Sequence, residues 1–203
     1  IDEVQEAPDI MTMAKFLVED GRCRWAFSGS MLGTQFKGVR SYPVGYVHEL
    51  RMFPLDFEEF CWATGVSEGA RQTIRDACIS ERPIPDYIHD AMMANFRTYT
   101  VVGGMPEVVQ RFLDTQGDLA SVRQLQSELN EQYRRDISKY ASGRALQVQS
   151  IYDQLPIMLE GENKRFVLNS IDPKAHYEKY QRDFVWLVDA GVAALRAGRH
   201  LHG

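Results

Sequence analysis

The chain has 203 residues, 44% of them hydrophobic and 25% charged, so it can bury one substantial core or two small ones. Its net charge of −5 excludes a general electrostatic attraction to nucleic acid or acidic membranes. The three cysteines form no C-x-x-C pair, which argues against a zinc ribbon or a disulfide framework and predicts reduced thiols in the core. No apolar run approaches the roughly 20 residues of a membrane-spanning helix, and we expect a cytoplasmic protein.

The first residues combine an apolar position with two adjacent acids. Asp2 and Glu3 follow Ile1 directly, as at the end of a strand in a magnesium-dependent ATPase. Hydrolysis of a nucleoside triphosphate needs one carboxylate to hold Mg²⁺ and a second to activate the attacking water. Asp-Glu pairs are also common in solvated loops, so this pattern alone leaves a structural interpretation open.

The next elements predict that residues 1–60 are the distal part of an α/β nucleotide-binding core. Residues 11–19 have a helical pattern, residues 24–27 form a short apolar run typical of a buried strand, and residues 44–52 predict an edge or terminal strand. Ser28 and Ser30 follow the run at 24–27. In open α/β sheets ligands bind at the carboxyl ends of the strands, so both hydroxyls are candidate site groups.

A helix is predicted to begin after Asp56. The Asp56 carboxylate can cap the backbone N–H of Glu59, and the Glu59 side chain can reach back, while Leu55 and Phe60 occupy the positions of a hydrophobic staple. The acids of this segment are therefore assigned to capping and its aromatics to packing, with no role in chemistry.

Residues 61–142 predict a helical domain. One helix is expected at 86–98 and another begins at Pro106. Apolar residues at spacings of three and four predict a long amphipathic helix over 119–140 that ends near Gly143. The run from Gly103 to Pro106 is suited to a loop that leads into a helix.

Residues 143–195 predict a winged-helix-like module, and 196–203 form an atypical tail. Helical segments around Pro156, a β-like run at 165–169 and a helix after Asp172-Pro173 follow one another in the order of that fold. A charge-balanced last helix makes a poor phosphate contact, so packing is favoured over DNA binding. The predicted helix carries three positive charges, at Lys174, Lys179 and Arg182, and three negative charges, at Glu178, Asp183 and Asp189.

Four motifs in this order resemble those of the prokaryotic ATP-binding proteins of the AAA+ superfamily that carry an uncharacterised, nuclease-like carboxy-terminal domain. That group is related to the archaeal-type and STAND ATPases. The resemblance runs from Ile1 to about Val192 and implies a Walker B motif, a helical lid at 61–142 and a winged-helix-like module after it. The motifs are Asp2-Glu3-Val4-Gln5, Ser28-Gly29-Ser30, the run 54–60 and the run 103–109.

The resemblance implies a role for each motif residue. Asp2 would coordinate Mg²⁺ through water, and Glu3 would be the general base. Ser28 would contact the γ-phosphate or the attacking water, with Ser30 as the alternative. Gly104 and Pro106 match the Gly-x-Pro of STAND-type lids, in which the proline touches the nucleotide. A loop into a helix explains these two residues equally well.

The sequence contains no G-x-x-x-x-G-K-[ST] phosphate loop, and none of its lysines follows a glycine. We therefore expect a fragment that begins at the Walker B motif of an ATPase, a protein that binds and hydrolyses ATP with Mg²⁺ to drive a conformational change. The chain alone is expected to be inactive. Its partners would be ATP and a protein or nucleic-acid target, with no membrane. The alternative is a non-catalytic winged-helix interaction or DNA-binding module.

Overall fold

The computed structural model describes residues 1–7, 9–29, 45–141, 143–161, 166–171 and 176–193. Within these ranges the chain is helical and no residue lies in a β-strand. The predicted fold class, an α/β core fragment followed by a helical lid and a winged-helix-like module, is therefore wrong. Contacts within the chain define two compact units, a central unit of residues 52–132 and a flanking unit of residues 1–51 and 133–203. The predicted domain boundaries at 60, 142 and 195 stay predictions.

The predicted strands fail because a strand needs hydrogen-bond partners along its whole length. Residues 24–27 have no regular secondary structure, residues 24–26 are exposed, and the segment is paired at a single point, the Ala26 carbonyl. Residues 45–52 are irregular and mostly exposed, and Val44 lies outside the described residues. In place of the β-like run at 165–169, Leu168–Ser170 forms a 3₁₀ turn, so the strand of a winged helix is absent from the described part of that segment.

The central unit consists of helices packed around one core. Its helices are α2 (Phe57–Ala63), α3 (Glu68–Ser80), α4 (Asp86–Val102), α5 (Pro106–Asp114) and the first part of α6 (Leu119–Tyr140). The helices predicted around 86–98, from Pro106 and over 119–140 are thereby confirmed. The buried core comprises Phe60, Val102, Val108, Val109, Val122 and Leu125.

The capping box predicted at Asp56 is confirmed. The Glu59 N–H donates to Asp56 Oδ1 at 2.8 Å, and the Asp56 N–H donates to Glu59 Oε2 at 2.9 Å. These two bonds satisfy donors that the start of α2 leaves without partners inside the helix. Leu55, just before the cap, packs against the core that contains Phe60. The segment therefore has a structural role, as predicted.

The flanking unit holds α1 (Asp9–Asp20), a 3₁₀ turn at Val4–Glu6, the end of α6, α7 (Ala145–Glu160) and α8 (Tyr177–Asp189). Helices α7 and α8 pack against each other, and the ring of Phe166 meets that of Phe184 edge to face, with centroids 5.0 Å apart. The buried core comprises Ile137, Ala141, Val148, Ile151, Tyr180, Phe184 and Leu187.

An ion pair between a half-buried arginine and a buried aspartate joins the start of α7 to α8. Arg144 Nε and Nη2 donate to the two carboxylate oxygens of Asp183 at 2.6 and 2.5 Å, and Nη2 also donates to the carbonyl of Lys179 at 2.9 Å. Asp183 is only 2% exposed. The negative charge of Asp183 is therefore neutralised by Arg144 inside the unit. It does not offset the positive charges of Lys179 and Arg182 at the surface, contrary to the charge balance predicted for α8. Residues 172–175 and the tail lie outside the described residues.

The cysteines do not all lie in the core. Cys61 is buried, which raises the pKa of its thiol, whereas Cys23 and Cys78 are exposed. The expectation of three core thiols is therefore wrong for two of them. Among the described helices, none is both long and apolar enough to cross a membrane.

Candidate functional site

Two segments of the flanking unit run side by side at the candidate site. The amino-terminal nitrogen of Ile1 donates to the carbonyl of Ala26 at 2.8 Å, and the Ser28 N–H donates to the carbonyl of Ile1 at 2.9 Å. Ile1 is thus hydrogen-bonded to Ala26 and Ser28, the residues on both sides of Phe27, which is the pattern of two parallel β-strands. The pairing continues for only one more backbone hydrogen bond, at Val4, so it forms no strand, yet it sets Asp2 beside Ser28.

The side chains of the two predicted motifs meet at this point. Ser28 Oγ donates a hydrogen bond to Asp2 Oδ1 at 2.5 Å, the length expected for a hydroxyl bonded to an ionised carboxylate. This bond lowers the pKa of Asp2, and a hydrogen bond from the backbone of Glu3 lowers it further. Both side chains are exposed. Asp2 is therefore ionised at neutral pH and accessible to a ligand.

Glu3 has an unusual backbone conformation. Its φ of 50° and ψ of 44° place it in the left-handed region, which costs a residue with a side chain about 1 to 2 kcal/mol. As a result Val4, and not Glu3, donates the next hydrogen bond to the carbonyl of Ser28, at 3.0 Å. Glu3 is therefore an extra residue in the pairing. Bulges of this kind redirect a side chain and are frequent beside functional sites.

The remaining predicted site residues lie elsewhere. Ser30 falls outside the described residues. Gly104 and Pro106 lie in the central unit, at the junction of α4 and α5. The structure thus brings together Asp2, Glu3 and Ser28 as one group, and Gly104 and Pro106 as another. The roles that the resemblance implies for these five residues stay predictions.

Gly104 is in close contact with the backbone of Leu55. The Leu55 N–H donates to the carbonyl of Gly104 at 2.7 Å, and a Cβ added to Gly104 would lie 2.1 Å from the carbonyl oxygen of Leu55. No side chain fits at that distance, so glycine is required here by packing alone. The hydroxyl of Tyr99 donates to the same Leu55 carbonyl at 2.9 Å. The backbone N–H and the carbonyl of Leu55 are thus both hydrogen-bonded to residues of α4 or of the α4–α5 junction.

Pro106 is the first residue of α5 and its ring is exposed. At this position a helix has no use for the backbone N–H that proline lacks, and the fixed φ of proline suits the helix start. Sequence reasoning missed the Leu55 contact, although it singled out both segments. The one signal in the sequence is the Gly103-Gly104 pair, because glycine allows another backbone to approach closely.

The group at Asp2 fits a magnesium ion but not a whole nucleotide. Among the described residues, no three His, Cys, Asp or Glu side chains are grouped closely enough to hold a metal ion by themselves. Mg²⁺ usually keeps several waters and binds through one or two carboxylates together with substrate phosphates, and the ionised, exposed Asp2 suits that mode. The glycine-rich lysine loop that would bind the phosphates does not occur in the sequence.

Two family models match the chain. A model described as an AAA domain matches residues 1–61, the segment that contains Asp2, Glu3 and Ser28. A model described as a domain of unknown function, DUF8612, matches residues 93–197, which is more than half of the chain. No curated protein and no solved structure matches. The first match supports an AAA-like ATPase domain, whereas a nuclease-like domain has no support from either.

Proposed function

The chain belongs to the DUF8612 family, whose function is unknown, and we propose that it acts as part of an AAA-type ATPase that binds and hydrolyses ATP with Mg²⁺. The AAA-domain match over residues 1–61 supports the general class. The observation that carries the finer proposal is the hydrogen bond from Ser28 to Asp2. It joins the Asp2-Glu3 motif to the Ser28-Gly29-Ser30 motif, and the sequence alone predicts a role in ATP chemistry for each.

The proposed roles follow from the chemistry of the side chains. Asp2, ionised and exposed, would hold Mg²⁺ through water, and a bound Mg²⁺ neutralises charge on the phosphates. Glu3 would accept the proton that the attacking water loses as its oxygen bonds to the terminal phosphorus, while the bond from that phosphorus to the bridging oxygen breaks and ADP leaves. The left-handed backbone of Glu3 turns this residue out of the pairing with Ser28, which supports a role separate from that of Asp2.

In the central unit, the candidate nucleotide contacts are the two residues of the Gly-x-Pro motif. We include Pro106 in the proposal because its ring is exposed at the start of α5. Gly104 could assist by its backbone, but its packing against Leu55 already accounts for the glycine. The hydrolysis step would drive a conformational change that acts on a protein or nucleic-acid target.

The decisive test is the substitution Glu3→Gln in the full-length gene product. It keeps the size and hydrogen bonding of the side chain but removes the proton acceptor, so turnover should fall by about 10² or more while Mg-ATP binding persists. Glu49→Gln is the matched control, because Glu49 is an exposed acid within the same AAA-domain match. Hydrolysis at the parental rate in Glu3→Gln would show that Glu3 is not the base.

A second check uses the gene alone. The reading frame of the full-length gene product should encode a strand followed by G-x-x-x-x-G-K-[ST] before Ile1, since the phosphates need that loop. A gene product without this motif that also fails to bind ATP would contradict the ATPase proposal. The 203-residue chain by itself should show no saturable ATP binding up to millimolar concentrations, because carboxylates repel a triphosphate that no lysine offsets.

A further inference from the structure

We propose that Ser28 is a positioning residue, whose hydroxyl orients the Asp2 carboxylate for a divalent cation and does not contact the terminal phosphate. The inference rests on the proposed function, because it takes Asp2 to be the cation ligand. It differs from the role that the resemblance implies for Ser28, which was direct contact with the γ-phosphate or the attacking water.

The first argument is that the Ser28 hydroxyl can donate only one hydrogen bond. A serine hydroxyl has one proton to donate, and phosphate oxygens can only accept. In the structure this proton is donated to Asp2 Oδ1 at 2.5 Å, a short bond to a charged acceptor. While that bond lasts, Ser28 has no proton for a phosphate oxygen. Contact with the phosphate would require breaking one of the stronger kinds of hydrogen bond in proteins.

The second argument is that the backbone already holds the two residues side by side. Backbone bonds link Ser28 to Ile1 at 2.9 Å and to Val4 at 3.0 Å, on both sides of Asp2. These bonds involve no side chain and would form with other residues at positions 2 and 28. The side-chain bond is therefore not needed to join the segments. Its remaining effect is to give the exposed Asp2 carboxylate a second hydrogen bond, beside the one from the Glu3 backbone, and so to hold a single rotamer of this side chain.

The third argument is that the bond leaves Asp2 able to bind a cation. An ionised carboxylate has about four acceptor positions, and the Ser28 hydroxyl and the Glu3 backbone N–H occupy two of them. Groups that orient a metal ligand in this way typically change metal affinity by about 10- to 100-fold when removed.

The test is a Mn²⁺ titration of the full-length gene product with a non-hydrolysable ATP analogue bound, followed by the EPR signal of the free ion. Ser28→Ala should weaken Mn²⁺ binding by about 10-fold, the lower end of the range for such groups, and Asp2→Asn should weaken it further. Ser28→Thr keeps a hydroxyl at the same place and should bind within about twofold of the parent. Ser150→Ala is the control, because the Ser150 hydroxyl donates to the carbonyl of Leu146 in its own helix.

The possible outcomes separate the two proposals. Weaker Mn²⁺ binding in Asp2→Asn with an unchanged affinity in Ser28→Ala would overturn the positioning role and leave the proposed function standing. Unchanged affinity in Asp2→Asn would remove Asp2 as the cation ligand, and both proposals would fall. If Ser28→Ala loses amide hydrogen-exchange protection at residue 28, Ser28→Thr decides, since it keeps both the hydroxyl and the backbone bonds.

A kinetic measurement on the full-length gene product gives an independent readout. A positioning role predicts that Ser28→Ala raises the Mg²⁺ concentration for half-maximal ATP hydrolysis and leaves kcat at saturating Mg²⁺ nearly unchanged. Direct contact with the transferred phosphate predicts the reverse, a lower kcat at an unchanged Mg²⁺ requirement. Ser28→Thr should restore the parental Mg²⁺ dependence under a positioning role.

Discussion

The contact between Asp2 and Ser28 and the contact between Leu55 and Gly104 both join motifs that are far apart in the sequence, but by different means. Asp2 and Ser28 meet through exposed side chains. Leu55 and Gly104 meet through their backbones, so closely that no side chain fits at position 104. The first contact leaves polar groups accessible to a ligand, whereas the second uses its polar groups for packing.

This difference shows how to weigh a sequence motif. The glycine at 104 is explained by the 2.1 Å approach of the Leu55 carbonyl to an added Cβ, with no nucleotide needed. Nothing in the backbone explains the acid at 2 and the hydroxyl at 28, because the backbone bonds there would form with most residues. The motif without a packing explanation is the stronger candidate for chemistry, and the predictions below test this distinction.

The largest effect is expected in the core of the flanking unit. Phe184→Ala removes a buried ring that packs against Phe166, and it should lower the free energy of unfolding by about 3 to 5 kcal/mol through the cavity it leaves. Urea denaturation measures this change. Ser28→Ala should cost far less, since it removes an exposed contact. Similar losses in the two variants would contradict the view that the Asp2–Ser28 bond has little structural importance.

The next effect is expected at Gly104. Gly104→Ala places a Cβ on the Leu55 carbonyl and must displace backbone, so we expect a loss of about 3 kcal/mol, the upper end for overpacking. Gly69→Ala is the control, because its added Cβ meets no atom within 4 Å and lies within α3. That variant should be neutral or more stable by up to about 1 kcal/mol. Thermal unfolding that does not distinguish the two variants would refute the packing role.

A smaller effect is expected at Tyr99. Tyr99→Phe keeps the ring, which packs against Phe60 with centroids 5.3 Å apart, and removes the hydroxyl that donates to Leu55. The Leu55 carbonyl then loses that donor, and stability should fall by about 1 to 1.5 kcal/mol. Chemical denaturation of the variant measures the change. A stability equal to that of the parent would show that this bond does not hold Leu55 in place.

The smallest effect is a pH dependence at Asp2. Ser28→Ala should raise the pKa of Asp2 toward its ordinary value, because the hydroxyl is the largest cause that lowers it. A carboxyl whose pKa is lowered by folding stabilises the protein above its unfolded pKa, and this contribution disappears as pH falls through the folded pKa. The parent should therefore be slightly more stable than Ser28→Ala at neutral pH, and this difference in stability should disappear in acid. NMR titration of the Asp2 carboxyl carbon checks this, and equal pKa values would contradict it.

Local structure was predictable from neighbouring residues. The capping box needs only Asp56 and Glu59, three positions apart, and it formed as predicted. Helix α6 follows from apolar residues at spacings of three and four, and α5 begins at Pro106 as expected. These elements form hydrogen bonds within a few residues, so their signals are contained in a short stretch of sequence.

The sequence by itself determined the capping box at Asp56, the helices over 86–98, from Pro106 and over 119–140, and the residue types at the candidate site, because each depends on side chains within a few positions of one another. Only the tertiary structure decided that residues 24–27 pair with the chain start at one point and form no strand, and that Asp183 is buried against Arg144. It also decided that Ser28 bonds to Asp2 and that Gly104 packs on Leu55. These contacts join residues 25 to 49 positions apart, and such closures depend on how whole helices pack.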